Sequence, residues 1–213
     1  ENIQPKHIAI AGNIGAGKTT LVNLLATHYN WVPHLEAVDD NPYLQDFYED
    51  MATWAFPLQI YFLNSRFAQV SEIRKSPHTI IQDRTIYEDA YIFAKNLKAS
   101  SYLTERDFNT YFSLFQNMSS LIKPPDLLIY LKANITTLIT QISRRGRDYE
   151  STISIKYLED LNHYYEEWIG NYKEGNLLVI DVDNLDYVNN PEDLGHIITR
   201  IDAEFFGLFP PAN

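Results

Sequence analysis

The sequence predicts an α/β fold: a five-stranded parallel sheet with helices on both faces. Three observations carry that reading. Short apolar runs alternate with longer amphipathic segments, the βαβα pattern of a sheet covered on both sides. The first apolar run passes through a glycine-rich turn directly into a helical pattern. With 213 residues, 45% of them hydrophobic, the chain is long enough to bury a full core.

Taken in order, the strand candidates are His7–Ala11, Trp31–Leu35, Thr79–Gln82, Leu127–Leu131 and Leu177–Asp181, each short, apolar and bounded by turn formers. Helical periodicity predicts Lys18–Tyr29, Thr53–Arg74, Tyr87–Lys98, Glu105–Ser120, Ile135–Arg144, Ile155–Tyr172 and Glu192–Phe206. Pro124 and Pro125 set a break before the fourth strand, because proline lacks the amide donor and restricts the residue ahead of it. No repeat or low-complexity tract interrupts the pattern, so residues 1–213 are expected to form a single domain.

Composition narrows the function. There are 17 Lys and Arg against 28 Asp and Glu, a net charge of −11, which repels a phosphate backbone and makes a nucleic-acid partner unexpected. The absence of cysteine excludes disulfides, thiolate zinc sites and cysteine nucleophiles. No run of 18 apolar residues occurs, and Glu1 to Lys6 lacks the layout of a signal peptide. The expectation is a soluble, cytoplasmic protein without a membrane partner. The chain does not begin with Met, which leaves a removed organelle-targeting segment open.

The strongest motif is Gly12-Asn13-Ile14-Gly15-Ala16-Gly17-Lys18-Thr19, the P-loop pattern G-x-x-x-x-G-K-[ST], set between a strand and a helix. Its glycines let backbone N–H groups turn inward around phosphate oxygens, and the following helix points its positive end at them. Gly12, Asn13, Gly15, Ala16, Gly17, Lys18, Thr19 and Thr20 are therefore candidate nucleotide-binding residues. Lys18 is expected at the β- and γ-phosphates and Thr19 on Mg²⁺. Glu36 lies where a dinucleotide site would have its ribose-binding acid. The glycine spacing G-x-x-G-x-G is nevertheless the reverse of that fingerprint.

Three further segments address the phosphate acceptor. Glu36 closes the second strand candidate, so its carboxylate is expected at the C-terminal edge of the sheet, as suits a general base. Asp83-Arg84-Thr85 follows the third strand; Asp83 there suits Mg²⁺, and Arg84 suits a transferring phosphoryl group. Arg144, Arg145 and Arg147 gather around Gly146 in an acidic protein, where they repel one another unless an anion compensates.

These motifs, in this order, resemble the deoxyribonucleoside kinases, from Lys6 to about Val182. The resemblance implies a P-loop kinase fold with an Arg-rich lid at about 144–153, and transfer of the γ-phosphoryl of ATP to a deoxynucleoside 5′-hydroxyl. It implies Glu36 as catalytic base, and Arg84, Lys18, Arg145 and Arg147 as catalytic cations, with Arg144 at the donor phosphates. Tyr48 and Glu150 match residues that bind the deoxyribose 3′-hydroxyl. Gln59, Arg66, Asp89 and Phe93 match the base pocket. Gln59 and Arg66 lie two turns apart on an otherwise apolar helix face, where polar groups need partners.

The Arg66/Asp89 pair resembles enzymes that take purine deoxynucleosides or deoxycytidine, and Asp39-Asp40-Asn41-Pro42-Tyr43 resembles the bacterial branch. Deoxyadenosine is therefore slightly favoured. Two departures stand out: Ala37 where relatives usually have Pro, and Gln141 where they often have Arg. Relatives form homodimers and are inhibited by the dNTP end product. Two other readings share some of these features. A thymidylate-kinase-like enzyme would need cations for a charged acceptor, yet residues 37–66 hold only Arg66. A non-catalytic P-loop scaffold would have lost charged positions that are all present here.

Overall fold

The computed structural model describes residues 5–36, 38 and 40–207. Ala37, and Asp39 of the stretch that resembles the bacterial branch, lie outside the described residues. Five strands, β1 (His7–Gly12), β2 (Val32–His34), β3 (Ile80–Asp83), β4 (Leu127–Lys132) and β5 (Asn176–Asp181), form one parallel sheet in the order β2-β3-β1-β4-β5. Every side chain of β1 and β3 is buried, odd and even positions alike. A sheet covered on both faces gives that pattern, which is why residues 8–11 of β1 read as a continuous apolar run.

The helices are α1 (Lys18–Tyr29), α2 (Leu44–Glu49), α3 (Met51–Lys75), α4 (Ile86–Glu88), α5 (Lys95–Ala99), α6 (Glu105–Ser119), α7 (Ile135–Arg145), α8 (Ile155–Gly170) and α9 (Pro191–Phe206). Their starts follow side-chain chemistry. Asp50, Thr104, Asn134, Ser154 and Asn190 each accept a backbone N–H of the first turn of α3, α6, α7, α8 and α9. Leu21, Val22 and Leu25 of α1, Leu158 and Leu161 of α8, and Ile197 and Ile201 of α9 close on the sheet in one core with Ile8, Ile10 and Leu128. Truncating any of these to Ala removes about 2–5 kcal/mol of stability.

Three expectations change. The second strand is shorter than Trp31–Leu35: only Val32, Pro33 and His34 pair with β3. Pro33 is tolerated there because β2 is an edge strand: Val32 N donates to Thr79 O, so the missing N–H of the next residue falls on the side away from β3. Glu36 consequently does not close the strand; it stands two residues past it. The helix predicted over Tyr87–Lys98 is in fact α4, a π-helical turn over Asp89–Ala94, and α5. Helix α2 escaped the periodicity because six residues are too few to show one; it buries Leu44 and Phe47.

Two sharp backbone turns bring the site together at the C-terminal edge of the sheet. Gly15 and Gly17 have φ of 84° and 92°, and a Cβ on Gly17 would lie 2.1 Å from the hydroxyl of Tyr187. Arg84, just past β3, has φ of 69°, the left-handed region that side-chain-bearing residues rarely occupy.

Candidate active site

The phosphate loop folds around its own lysine. Lys18 opens α1 yet is only 7% exposed, and its Nζ donates to the carbonyl of Asn13 at 3.1 Å. Burial, helped by the nearby charge of Arg84, brings its ammonium down to about 8. Thr19 Oγ1 donates to Asp83 Oδ2, while the other carboxylate oxygen of Asp83 is buried without a partner. An orphaned anionic oxygen beside a hydroxyl suits a bound cation.

A cleft runs from this loop to the end of α7. It is lined by Gly15, Gly17, Lys18, Thr19 and Thr20 on one side, by Leu35, Glu36 and Val38 at its end, and by Gln141, Arg144, Arg145 and Arg147 opposite. Gly12, Asn13 and Ala16, grouped with these in the sequence, do not line it. Asn13 donates from Nδ2 to Leu158 O at 3.0 Å and to Asn162 Oδ1 at 2.7 Å, and its Oδ1 accepts from Ile14 N. Its side chain therefore ties the loop to α8. Gly12 is tightly packed, since a Cβ there would lie 3.1 Å from the Cβ of Ala16 and 3.2 Å from the Leu131 carbonyl.

Glu36 joins two arginines. Its Oε1 accepts from Arg66 Nη2 at 2.8 Å and from Arg84 Nη1 at 2.9 Å. Burial pushes the carboxyl up, but the charges of Arg84, Arg66 and Lys18 outweigh it and hold Glu36 down at about 2. Arg84 also donates from Nη2 to Gly12 O at 2.9 Å and from Nε to Glu88 Oε2 at 3.3 Å, and its guanidinium lies 4.6 Å over the ring of Phe93. Among the described residues, the carboxylate oxygens of Glu36 meet no other hydrogen-bond donor.

A second, deeper pocket opens beside Glu36. Gln59, Tyr48, Asp89, Phe93, Arg84 and Glu150 all line it, with Phe47, Leu58, Phe62 and Tyr157 as apolar walls. Gln59 is 2% exposed and its Oε1 is buried without a partner. Arg66 does not line the pocket. It lies behind the wall at 1% exposure, with Nε 3.4 Å from Asp89 Oδ2 and Nη1 donating to Asp83 O. The two-turn spacing from Gln59 is correct, but Glu36 and Asp89 draw the guanidinium inward. Burial raises Asp89 to about 7 despite the pull of Arg66.

The segment after α7 closes both spaces. Gly146, with φ of 66°, ends α7, and a 3₁₀ turn over Asp148–Thr152 follows. Arg145 binds Glu150 through both Nε, at 2.9 Å, and Nη2. Tyr149 stacks on Tyr48 with ring centroids 5.5 Å apart. Lys18, Glu36, Val38, Arg145 and Arg147 line the cleft and the pocket alike, so the two spaces meet at Glu36.

Sequence reasoning missed Glu88 and Tyr165. Glu88 is fully buried and Tyr165 Oη lies 2.5 Å from its Oε2. Thr85-x-x-Glu88 carries the capping-box spacing, a signal open to reading; Tyr165 has none, since only the fold brings α8 to the phosphate loop.

With this geometry in place, comparison with known proteins is direct. The sequence profile of the family described as deoxynucleoside kinase matches residues 8–206. The deoxyadenosine kinase of Dictyostelium discoideum is 44% identical over 227 residues, spanning 100% of this chain and 91% of that protein. The deoxyadenosine/deoxycytidine kinase of Bacillus subtilis is 37% identical over 196 residues, covering 91% and 90% of the two chains. The structure of deoxyadenosine kinase from M. mycoides, solved with the products dCMP and a flexible dCDP, matches with a TM-score of 0.83 at 32% identity over 92% of this chain and 99% of that one. A profile that takes in nearly every element, joined by relatives above 30% identity along nine-tenths of the sequence, leads to one conclusion: the chain belongs to the deoxynucleoside kinase family.

Proposed function

We propose that this kinase transfers the γ-phosphoryl of ATP to the 5′-hydroxyl of a purine deoxynucleoside or deoxycytidine, with deoxyadenosine slightly preferred. The observation that carries the reading is the meeting of cleft and pocket at Glu36. The donor side is rich in uncompensated charge: Lys18, Arg144 and Arg147 make no ion pair among the described residues. In the deep pocket Arg84 is already matched by Glu36 and Glu88, and Arg145 by Glu150. The unpaired cations that reach the pocket, Lys18 and Arg147, stand where it meets the cleft, and among the described residues the rest of its lining holds no unpaired cation for an acceptor's own phosphate, which favours a neutral sugar alcohol.

In this reading Gly15, Gly17, Lys18, Thr19, Thr20 and Arg144 hold the triphosphate, while Gly12, Asn13 and Ala16 give the loop its shape. Glu36 takes the 5′-hydroxyl proton as that oxygen bonds to the γ-phosphorus and the bond to the β-phosphate oxygen breaks, releasing ADP. Lys18, Arg84, Arg145 and Arg147 offset the charge that shifts between the two oxygens. Thr19 and Asp83 would hold Mg²⁺, consistent with the unpartnered oxygen of Asp83. The ion, when bound, neutralises phosphate charge. Tyr48 and Glu150 face the 3′-hydroxyl and Phe93 stacks on the base. Gln59 bonds the base edge with Asp89 beside it, and Arg66 holds Asp89 and Glu36 in place from behind.

A homodimer through the outer helices belongs to the same proposal, supported by a mainly apolar depression among Tyr91, Phe108, Phe112 and Tyr164, with Lys95 and Lys98 beside it. So does a cytoplasmic setting, consistent with the cysteine-free sequence. No helix among the described residues is long and apolar enough to cross a membrane. Initial rates with the four deoxynucleosides and their 5′-monophosphates test the central claim. Faster turnover of a monophosphate than of every nucleoside overturns the neutral acceptor. Thymidine ahead of the other three overturns the base reading. Sedimentation at micromolar concentration tests the dimer.

A further inference from the structure

We propose that Glu88 is a positioning residue for phosphoryl transfer, fixing the plane of Arg84 and the first residue of the phosphate loop in one register. The inference rests on the reading of Arg84 as a cation that meets the transferring phosphoryl group. As a helix cap alone, Glu88 would need one contact: its Oε1 accepts from Thr85 N at 2.9 Å, completing a capping box. Such a box works at a protein surface. Here the carboxylate is fully buried, and an ionised group removed from water is strongly destabilising unless other donors replace the solvent.

The replacements come from outside its own helix. Oε2 of Glu88 accepts from Arg84 Nε at 3.3 Å, from Gly12 N at 3.3 Å and from Tyr165 Oη at 2.5 Å. Arg84, Gly12 and Tyr165 belong to the turn after β3, to β1 and to α8. Arg84 Nε, Gly12 N and Thr85 N can only donate, so each needs a lone pair on Glu88, and the Arg84 charge opposes the burial that pushes the carboxyl up. Tyr165 Oη also lies 2.8 Å from Gly12 O, but its contact with Glu88 is the shorter, at 2.5 Å. The single hydroxyl proton is better placed on the anion.

The consequence falls on Arg84. Its backbone is in the left-handed region, and all three guanidinium nitrogens are engaged: Nε with Glu88, Nη2 with Gly12 O, Nη1 with Glu36. Of these partners only Glu36 lines the pocket. Glu88 and Gly12 thus lock the plane from behind and leave Nη1 for the reacting centre. An amide in place of the carboxylate offers one acceptor and presents an N–H₂ to donors on the other side, so Glu88→Gln must release either Arg84 and Gly12 or Thr85.

The test measures kcat, KM and deoxynucleoside Kd for Glu88→Gln, Tyr165→Phe, Arg84→Ala and the double variant Glu88→Gln/Arg84→Ala. Glu88→Gln is expected to lower kcat about 10–100-fold while nucleoside Kd moves less than about threefold, the signature of a contact that matters in the transition state. Tyr165→Phe should lower kcat about three- to tenfold. In the Arg84→Ala background the Glu88 change should add less than about twofold, because the group it positions is gone. A wild-type kcat in Glu88→Gln, an undiminished effect in the Arg84→Ala background, or a loss matching the unfolded fraction by circular dichroism overturns the inference. Should Glu88→Gln not fold, Tyr165→Phe decides, and its wild-type kcat is then the overturning result. If Arg84→Ala is impaired while Glu88→Gln is not, only this inference fails. A fully active Arg84→Ala removes the reading of Arg84 itself.

Discussion

Arg66 and Arg84, cations on different elements, grip the same oxygen of Glu36, Oε1, at 2.8 and 2.9 Å. Neither contact is a surface ion pair: the side chains are 1% and 7% exposed and Glu36 only 14%. Glu36 is therefore fixed by position and kept ionised, as the proposed general base must be. Glu36→Gln keeps an acceptor for the arginines but cannot accept the proton. The expected outcome is a loss of about 10²–10⁴ in kcat with deoxynucleoside binding intact, measured by steady-state rates and calorimetry. Near-normal kcat removes Glu36 from the chemistry.

The same residue sets a pH expectation. Its folded value near 2 lies below its ordinary 4.5, so its contribution to stability is present above about 4.5 and lost as pH falls through about 2. As pH falls below about 4.5, a Glu36→Gln variant should lose less melting temperature than the parent protein loses.

Lys18 gives the opposite kind of test. A buried ammonium whose folded value is about 8, against 10.5 ordinarily, weakens the ligand-free protein by roughly 3 kcal/mol below pH 8. The unfolded chain holds that proton longer, so stability should rise with pH between about 8 and 10.5. Lys18→Met should raise the melting temperature of the ligand-free protein by several degrees and abolish the further rise that ATP with Mg²⁺ gives the parent. Scanning calorimetry with and without nucleotide checks both; an unchanged nucleotide response sinks the assignment of Lys18 to the phosphates.

Asp89 sets a further pH expectation. Burial raises it to about 7, so its contribution to stability is present at low pH and lost as pH rises through about 7. As a carboxylic acid it donates to a base carbonyl; as a carboxylate it accepts from an exocyclic amino group. Between pH 6 and 8, kcat/KM should rise for deoxyadenosine relative to deoxyguanosine, and Asp89→Asn should flatten the ratio. A ratio that still varies in Asp89→Asn places the titration elsewhere.

How far the sequence reached depends on the range of the interactions involved. The phosphate loop was legible because its chemistry is local: eight consecutive residues specify strand, turn and helix start. The buried strands were legible because both faces are covered. The motif order singles out Glu36, but not that it stands two residues past the strand, because edge pairing depends on a neighbour elsewhere in the chain. Arg66 was paired with the right acid and set on the wrong side of the wall: helical spacing gives a face, whereas the depth of a guanidinium depends on carboxylates from other elements. Tyr165 was invisible for the same reason, its hydroxyl reaching a carboxylate 77 positions away.

A last expectation concerns how the loop bearing Glu36 is held. His7 Nε2 lies 2.9 Å from Gln82 Oε1, Gln82 Nε2 donates to Gln69 Oε1 at 3.0 Å, and Gln69 Nε2 donates to the carbonyl of Leu35 at 2.9 Å. This relay starts inside β1, crosses the fully buried Gln82 of β3 and ends one residue before Glu36. Gln69→Leu orphans the Gln82 amide, which costs about 1–3 kcal/mol, and frees the Leu35 carbonyl. Gln69→Glu separates the two effects, because a carboxylate still accepts from Gln82 but donates nothing to Leu35. Both variants should lose about three- to tenfold in kcat, whereas only Gln69→Leu should unfold markedly earlier in urea. If Gln69→Glu turns over at the parent rate, the Leu35 bond plays no part in placing Glu36 and the relay serves stability alone.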